Sequence, residues 1–217
     1  MKIFIIGGCG FIGFNVFSFL KNKKYSDITI IDNFSGQSSK KNYIKIKKKF
    51  KNIKFFNIDI SKKKRIFDLI KKNKPNVILA LHGQVAVTKS IKDPKLDFNN
   101  NFLSVFNLLE SIRKISPKSV LINLSSNKIY GKIEKIKIYE KKLRYASKNL
   151  INEKYPLNFE SPYGCSKGAA DQYLIQYAKL YSLKTVSLRL SCVYGEDQWG
   201  TEDQGWIAWF IKCGLLN

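Results

Sequence analysis

Short apolar runs bounded by turn residues alternate along the chain with longer stretches whose apolar positions recur every three or four residues. The runs Lys2 to Ile6, Ile28 to Ile31, Val77 to Leu81, Val120 to Leu124 and Thr185 to Leu190, with a weaker one over Ile53 to Ile58, predict strands. They read as continuous rather than alternating apolar segments, the pattern of strands covered on both faces. Between them, Phe11 to Lys21, Ser39 to Phe50, Lys62 to Lys72, Pro94 to Ile115 and Pro162 to Leu183 predict helices, the last entered through a proline suited to a first turn. Such alternation predicts an α/β fold, a doubly wound parallel sheet with helices on both faces. Residues Lys132 to Glu160 lack periodicity and predict a long excursion above the sheet, where binding loops are common.

With 217 residues, 44% of them hydrophobic, the chain has material for one sizeable core and the length of one domain or one and a part. A formal charge of +23 ordinarily points to nucleic acid, since clustered cations release counterions from phosphates. Here the basic side is almost all Lys: Arg occurs only at Arg65, Arg113, Arg144 and Arg189, whereas phosphate recognition leans on the Arg fork. The Lys-rich run Ile44 to Phe50 keeps apolar residues near helical spacing without interleaved stacking aromatics, and reads as an exposed amphipathic helix. No nucleic-acid partner is expected, and the charge reads as a solvated face. Cys9, Cys165, Cys192 and Cys213 are widely spaced, with no CxxC pair and no adjoining His, so free thiols in a reducing compartment are expected and a metal site is not. Met1-Lys2 runs straight into the first strand, too short an apolar run for a signal peptide, and no stretch approaches the roughly 20 apolar residues of a membrane span. A cytoplasmic protein with no membrane partner is the expectation.

Directly after the first strand, Gly7-Gly8-Cys9-Gly10-Phe11-Ile12-Gly13 opens a helix. In that context a GxxGxxG spacing describes a dinucleotide cradle. Gly7 permits a tight turn, Gly10 lets the backbone approach a pyrophosphate, Gly13 allows close packing of helix on strand, and the helix N-terminus offers free N–H groups to the phosphates. Glycines alone would mean no more than a turn. Asp32, at the end of the second strand, can accept from both ribose hydroxyls and would repel a 2′-phosphate, so NAD is expected over NADP; a turn or cap aspartate is the alternative. Asp59 could bond the adenine amine while Ile60 covers the ring, or Asp59 could simply cap the helix that follows Ser61.

Tyr163-Gly164-Cys165-Ser166-Lys167 sets a phenol and an ammonium four residues apart, on one face of one helix. The neighbouring ammonium is expected to lower the phenol's pKa and make Tyr163 a proton acceptor. Leu124-Ser125-Ser126-Asn127-Lys128-Ile129-Tyr130-Gly131 follows a buried strand at the end where doubly wound sheets bind ligands, so the Ser126 hydroxyl can meet a substrate alcohol; otherwise both serines are turn residues.

In this order and spacing, the glycine loop, Asp32, the Ser126 to Gly131 stretch and the Tyr163/Lys167 pair resemble the extended short-chain dehydrogenases, the NAD-dependent epimerase/dehydratase family, which has the Rossmann fold. Longer stretches are similar to the CDP-paratose (CDP-tyvelose) 2-epimerases: Gln84 to Thr88, Asp93-Pro94 with Asp97-Phe98, Asn107 to Glu110, Arg144-Tyr145, Ser161 to Tyr173 and Gly200 to Trp206. The resemblance implies a nucleotide-sugar epimerase that oxidises sugar C2 transiently with NAD and returns the hydride to the opposite face. It implies Tyr163 as base, Lys167 as the residue that binds the nicotinamide ribose and tunes the tyrosine, and Ser126 as holder of the substrate hydroxyl. Cofactor contacts are implied at Gly7, Gly10, Phe11, Ile12, Gly13, Asp32, Asn33, Asp59, Ile60, Leu81, Gly83, Gln84, Asn101, Tyr163, Lys167 and Val193. Substrate contacts are implied at Gln84, Asn127, Lys128, Arg144, Thr201 and Gln204.

Two departures stand out. Where the family usually reads His-Leu-Ala-Gly before Gln, this chain has Ala80-Leu81-His82-Gly83, and His82, its sole histidine, is expected to be a packed loop residue. The family also continues into a smaller domain that closes over the nucleotide sugar, so residues 1–217 are expected to be an NAD-binding domain in which 192–217 begin a truncated substrate domain. The loss of remote binding energy would lower turnover as well as affinity. The alternatives are a catalytically silent NAD-binding module, or half of a split enzyme completed by a C-terminal polypeptide. A 4,6-dehydratase is disfavoured because Asn127-Lys128 stands where those enzymes carry an acidic pair. The family suggests a homodimer built on the helices near Pro94 to Ile115 and Pro162 to Leu183; two buried helices of a monomer would read alike.

Overall fold

The computed structural model describes residues 1–36, 38–133, 136–147 and 150–216. Its strands are β1 (Ile3–Ile6), β2 (Ile28–Asp32), β3 (Lys54–Asn57), β4 (Val77–Ala80), β5 (Val120–Ser126), β6 (Ile138–Lys141), β7 (Arg144–Ser147) and β8 (Lys184–Leu190). Six of them form one sheet in the order β3-β2-β1-β4-β5-β8, with every neighbouring pair parallel. The chain starts in the middle, builds outward to β3, then crosses back to lay β4 on the other side of β1. That reversal leaves a crevice beyond the C-terminal ends of β1 and β4, the place where open α/β sheets bind ligands.

The helices are α1 (Phe11–Asn22), α2 (Ser39–Lys49), α3 (Lys63–Asn73), α4 (Val87–Lys92), α5 (Pro94–Phe98), α6 (Ser104–Ile115), α7 (Pro162–Tyr181) and α8 (Trp206–Leu216). Alternate residues of a strand face opposite sides, so β1 feeds two cores. Phe4 and Ile6 pack with Ile66 and Ile70 of α3, Leu108 and Ile112 of α6 and Leu174 of α7. Ile3 and Ile5 pack with Phe14 and Phe17 of α1 and Ile46 of α2. Each such side chain contributes about 1.5–3 kcal/mol by leaving water. The Lys-rich α2 buries Ser39, Asn42 and Ile46 on one side, with Tyr43 half-buried beside them, and holds its lysines in solvent.

All six predicted sheet strands are present, but their burial differs. Every residue of β1 and β2 is buried, whereas β8 alternates and leaves Val186 and Leu188 42% and 41% exposed. The expectation of burial on both faces holds at the centre of the sheet and fails at its edge. The stretch predicted as one helix from Pro94 to Ile115 is α5 and α6 joined by a π-helical turn, Asn99–Leu103. Within the predicted excursion, β6 and β7 form an antiparallel hairpin, while residues 134–135 and 148–149 lie outside the described residues. Helices α4 and α8 lacked a predicted counterpart. Among the described residues, no helix is long and apolar enough to cross a membrane.

The entry to α7 sets the geometry that follows. Ser161 caps it by accepting the Gly164 N–H at 3.1 Å, and Pro162 occupies the first turn. Tyr163 and Lys167 are thereby placed one turn apart on the buried face of α7. The helix is clamped to β8 by Arg189, whose Nη2 and Nε meet the Asp171 carboxylate at 2.7 and 3.1 Å. Asp171 is fully buried and also accepts from Ser187 Oγ at 2.6 Å.

Candidate active site

The glycine loop is shaped by contacts no side chain would allow. Gly7 has φ +73°, and a Cβ there would lie 2.7 Å from the His82 backbone. At Gly13 a Cβ would sit 2.1 Å from the Gly7 carbonyl oxygen, so this residue lets α1 close onto the loop. Gly10 differs: a Cβ would meet only the Gly7 oxygen, at 3.2 Å, and otherwise open space. Gly10 is also the N-cap of α1 and contributes no side-chain cap, so the first-turn N–H groups face that space unpaired by side chains. Phe11 and Ile12 are half-buried at the start of the helix, with the Phe11 ring beside Gly195.

Asp32 closes the far side. Its Oδ2 accepts the Cys9 N–H at 2.9 Å and its Oδ1 the Phe34 N–H at 2.8 Å, leaving each oxygen further acceptor capacity. Burial raises its pKa more than those backbone bonds lower it. Asn42 of α2 donates to the Cys9 carbonyl at 3.0 Å and pins the loop from below. Burial pushes the Cys9 thiol well up, leaving it unreactive. Open helix N–H groups at one end and a carboxylate with spare lone pairs at the other fit a dinucleotide.

Across the crevice the second group converges at the end of β5. The Ser126 hydroxyl accepts the Lys128 N–H at 3.2 Å and lies against the Tyr163 phenol, where it favours the phenolate. The Lys167 ammonium is buried and donates to the Leu124 carbonyl at 3.0 Å. Desolvation pushes its pKa down to about 8, with the Asp97 carboxylate opposing the shift. The expected lowering of the Tyr163 pKa is not seen. Burial raises it, the Ser126 bond offsets only part, and the Asp97 charge adds to the rise. Gly83 (φ +147°) covers this group closely, since a Cβ on it would lie 3.0 Å from Lys167 Nζ and 2.6 Å from Asn101 Oδ1.

Other expected residues divide by placement. Asn101, buried in the π-helical turn, donates through Nδ2 to the Gln84 carbonyl and the Asp97 carboxylate, which turns its Oδ1 toward Gly83. Gln84 is turned inward, its Nε2 donating to the Ala86 carbonyl at 2.7 Å and to Asp97 at 2.9 Å, and its Oε1 accepting from the Ala86 N–H. Leu81 continues β4 by donating to the Ile6 carbonyl. Asp59 accepts from Ser61 N and Oγ in the turn ahead of α3, whose N-cap is Lys62, so it does not cap that helix, and Ile60 is buried in the core. Asn33 is exposed and accepts the Ser35 N–H, and Val193 is 43% exposed on the loop after β8. Asn127 and Lys128 are exposed beside Ser126, and Arg144 is exposed on the β6–β7 hairpin.

Thr201 and Gln204 exchange two backbone hydrogen bonds in a tight turn tied to α4 by Thr88 and Asp203. Thr201 lines a cavity of about 620 Å³ bounded by Lys41 of α2, Lys89 of α4, Trp199, and Trp209 of α8. That cavity has neither Tyr163 nor the glycine loop in its wall. Among the described residues no cluster of three His, Cys, Asp or Glu could hold a metal.

His82 is the packed loop residue expected of it, its backbone against Gly7, whereas sequence reasoning assigned Asp97 no role. His82 Nε2 lies 2.8 Å from Ser104 Oγ, which itself donates to the Asn100 carbonyl. With the serine hydrogen so placed, Nε2 must carry a proton, and burial with the nearby Lys167 charge holds the ring neutral. Asp97 carried a signal, an aspartate four residues before an asparagine at a helix's buried turn, but none that separated it from an exposed helical carboxylate.

Residues 3–216 match the NAD dependent epimerase/dehydratase family, and the chain belongs to that family. It is 41% identical over 215 residues to CDP-paratose 2-epimerase of Salmonella typhi, covering 98% of this chain and 63% of that protein. It is 30% identical to a putative UDP-glucose 4-epimerase of Methanocaldococcus jannaschii, covering 99% of this chain and 63% of that one. The crystal structure of UDP-glucose 4-epimerase from Thermus thermophilus, complexed with NAD, superposes with a TM-score of 0.81 at 29% identity, covering 97% of this chain and 61% of the other. The chain thus spans under two thirds of the length of these relatives.

Proposed function

We propose that this chain is the NAD-binding, proton-transferring part of a nucleotide-sugar epimerase, acting on CDP-paratose or a close analogue at sugar C2. The observation that carries the reading is the convergence of Ser126, Tyr163 and Lys167 at the end of β5, across the crevice from an open glycine loop. When bound, NAD supplies reversible hydride acceptance at C2. Asp32 favours NAD over NADP by offering a carboxylate where a 2′-phosphate would need a cation.

The protein's own groups would act as follows. The Ser126 hydroxyl holds the C2 hydroxyl beside the Tyr163 phenol, and Tyr163 takes the hydroxyl proton as the sugar is oxidised and gives it back as the sugar is reduced. Burial keeps the phenol protonated at neutral pH, so acceptance requires positive charge in the cleft. Lys167 is this chain's own source of that charge, with two N–H groups beyond the one on Leu124 free to bind ribose hydroxyls. The half-exposed rings of Phe98 and Tyr173 on α5 and α7 support a homodimer through those helices.

Mass spectrometry of small molecules released from the purified protein tests the cofactor, and retained NAD is the expected result. Incubation with CDP-paratose, with the C2 epimer followed by NMR, tests the reaction. NAD without epimer formation would favour the silent module or split enzyme, and a 4-keto-6-deoxy product from a nucleotide hexose would replace epimerisation with dehydration.

A further inference from the structure

Asp97, the fourth residue of α5, is fully buried, yet accepts hydrogen bonds from three side chains on three segments. Gln84 Nε2, on the loop after β4, and Asn101 Nδ2, on the π-helical turn, reach its Oδ1 at 2.9 Å each. Ser166 Oγ, on α7 between Tyr163 and Lys167, reaches its Oδ2 at 2.5 Å. Burying a carboxylate is costly unless donors surround it, and a neutral side chain could have joined these segments more cheaply. All three donors belong to the segments that wrap Lys167.

We propose that Asp97 is a positioning residue that supplies the counter-charge of Lys167 and, through Asn101 and Ser166, fixes where the ammonium and the first turn of α7 stand. The inference rests on the reading of Lys167 as the ribose-binding residue. Around the ammonium stand the Leu124 carbonyl from β5, neutral His82 and Gly83 from the β4 loop, Asp97 with Asn101 from α5 and the turn, and Tyr163 one turn back on its own helix. Among these described groups Asp97 is the sole anion. Both Asn101 hydrogens point at acceptors because Asp97 and the Gln84 carbonyl are there, which aims the Asn101 oxygen at Gly83 and the Lys167 side of the cleft.

The test is NADH binding by fluorescence from pH 6.5 to 9.5, on the full chain and on Asp97→Asn, which keeps shape and removes charge. In the parent, affinity should fall as pH passes about 8, where Lys167 loses its proton, and Lys167→Met should abolish that fall. In Asp97→Asn the midpoint should drop by about one pH unit, and Asp97→Glu should restore it. Asp97→Ser serves if the asparagine variant does not fold. A merely structural aspartate would lower the melting temperature and leave the midpoint unmoved, and that result overturns the proposal. A parent with no pH-dependent loss overturns it without any variant. Failure of the parent to bind NADH sinks the cofactor reading as well, whereas binding with an unmoved midpoint sinks only the role of Asp97.

Discussion

The two walls of the crevice are built from different materials. On the β1–α1–β2 side the shape comes from backbone: Gly7 and Gly13 let the chain pass where a Cβ would strike His82 or the Gly7 oxygen, and Asp32 is held by two main-chain N–H groups. On the β5–α7 side it comes from side chains reaching over long sequence separations: Asp97 to Ser166, Lys167 to the Leu124 carbonyl, Arg189 to Asp171. At Gly7 and Gly13 the first wall rejects added volume, and at the fully buried Asp97 and Asp171 the second wall depends on its paired polar groups.

The largest effect should come from Tyr163→Phe. It removes one oxygen from the second wall and leaves the first untouched, so the epimerisation proposed above should fall about 10²–10⁴-fold, with NAD affinity within a few-fold of the parent by calorimetry. A comparable loss of binding would mean that the tyrosine shapes the cofactor site, and the division between the walls would be wrong. Next comes Arg189→Met, which strands the fully buried Asp171. Breaking such a pair costs about 3–5 kcal/mol, read as a lower urea midpoint. The isosteric double change of both partners to apolar residues should recover much of that loss.

The backbone wall is sharpened by two alanines. Gly13→Ala puts a methyl 2.1 Å from the Gly7 oxygen and should destabilise the fold by about 1–3 kcal/mol. Gly10→Ala meets one atom at 3.2 Å and otherwise opens on the cleft, so stability should hardly change while NAD affinity falls. Equal effects at the two positions would mean that the cleft at Gly10 is not where phosphates approach.

The same contrast governs what could be read in advance. A backbone wall is local: glycine spacing, a following helix and Asp32 at the end of the next strand lie within a short stretch, so the tight loop and the place of Asp32 in the sheet were legible. Tyr163 and Lys167 were legible because helical periodicity alone puts them on one face. What escaped depends on partners far along the chain. Burial raising the Tyr163 pKa, the inward turn of Gln84 and the hydrogen bonds of Asp97 and Arg189 depend on partners that no window of sequence contains. The π-helical turn hid inside an unbroken helical pattern because an added residue per turn leaves composition unchanged. The hairpin β6–β7 hid because its strands are short and exposed, without the apolar alternation that marks a covered face.

The smallest effect should lie where the walls touch. His82 packs its backbone on Gly7 and its ring on Ser104, and desolvation with the nearby Lys167 charge holds the ring neutral, its pKa pushed down to about 3. In the unfolded chain the same ring titrates near 6.5. Between those values the unfolded state binds a proton that the folded state refuses, so stability falls as pH drops below about 6.5 and continues to fall toward 3. From pH 6.5 to 5.5 the loss attributable to His82 is at most about 1.4 kcal/mol. Other acid-sensitive groups, such as Glu110, whose pKa the Arg113 guanidinium draws down to about 2, begin their own losses nearer the ordinary carboxylate range. Urea unfolding of the parent and of His82→Asn across that single unit isolates the histidine. A variant whose stability still falls with the parent's slope would mean that the imidazole is protonated in the fold and that Lys167 faces a second cation.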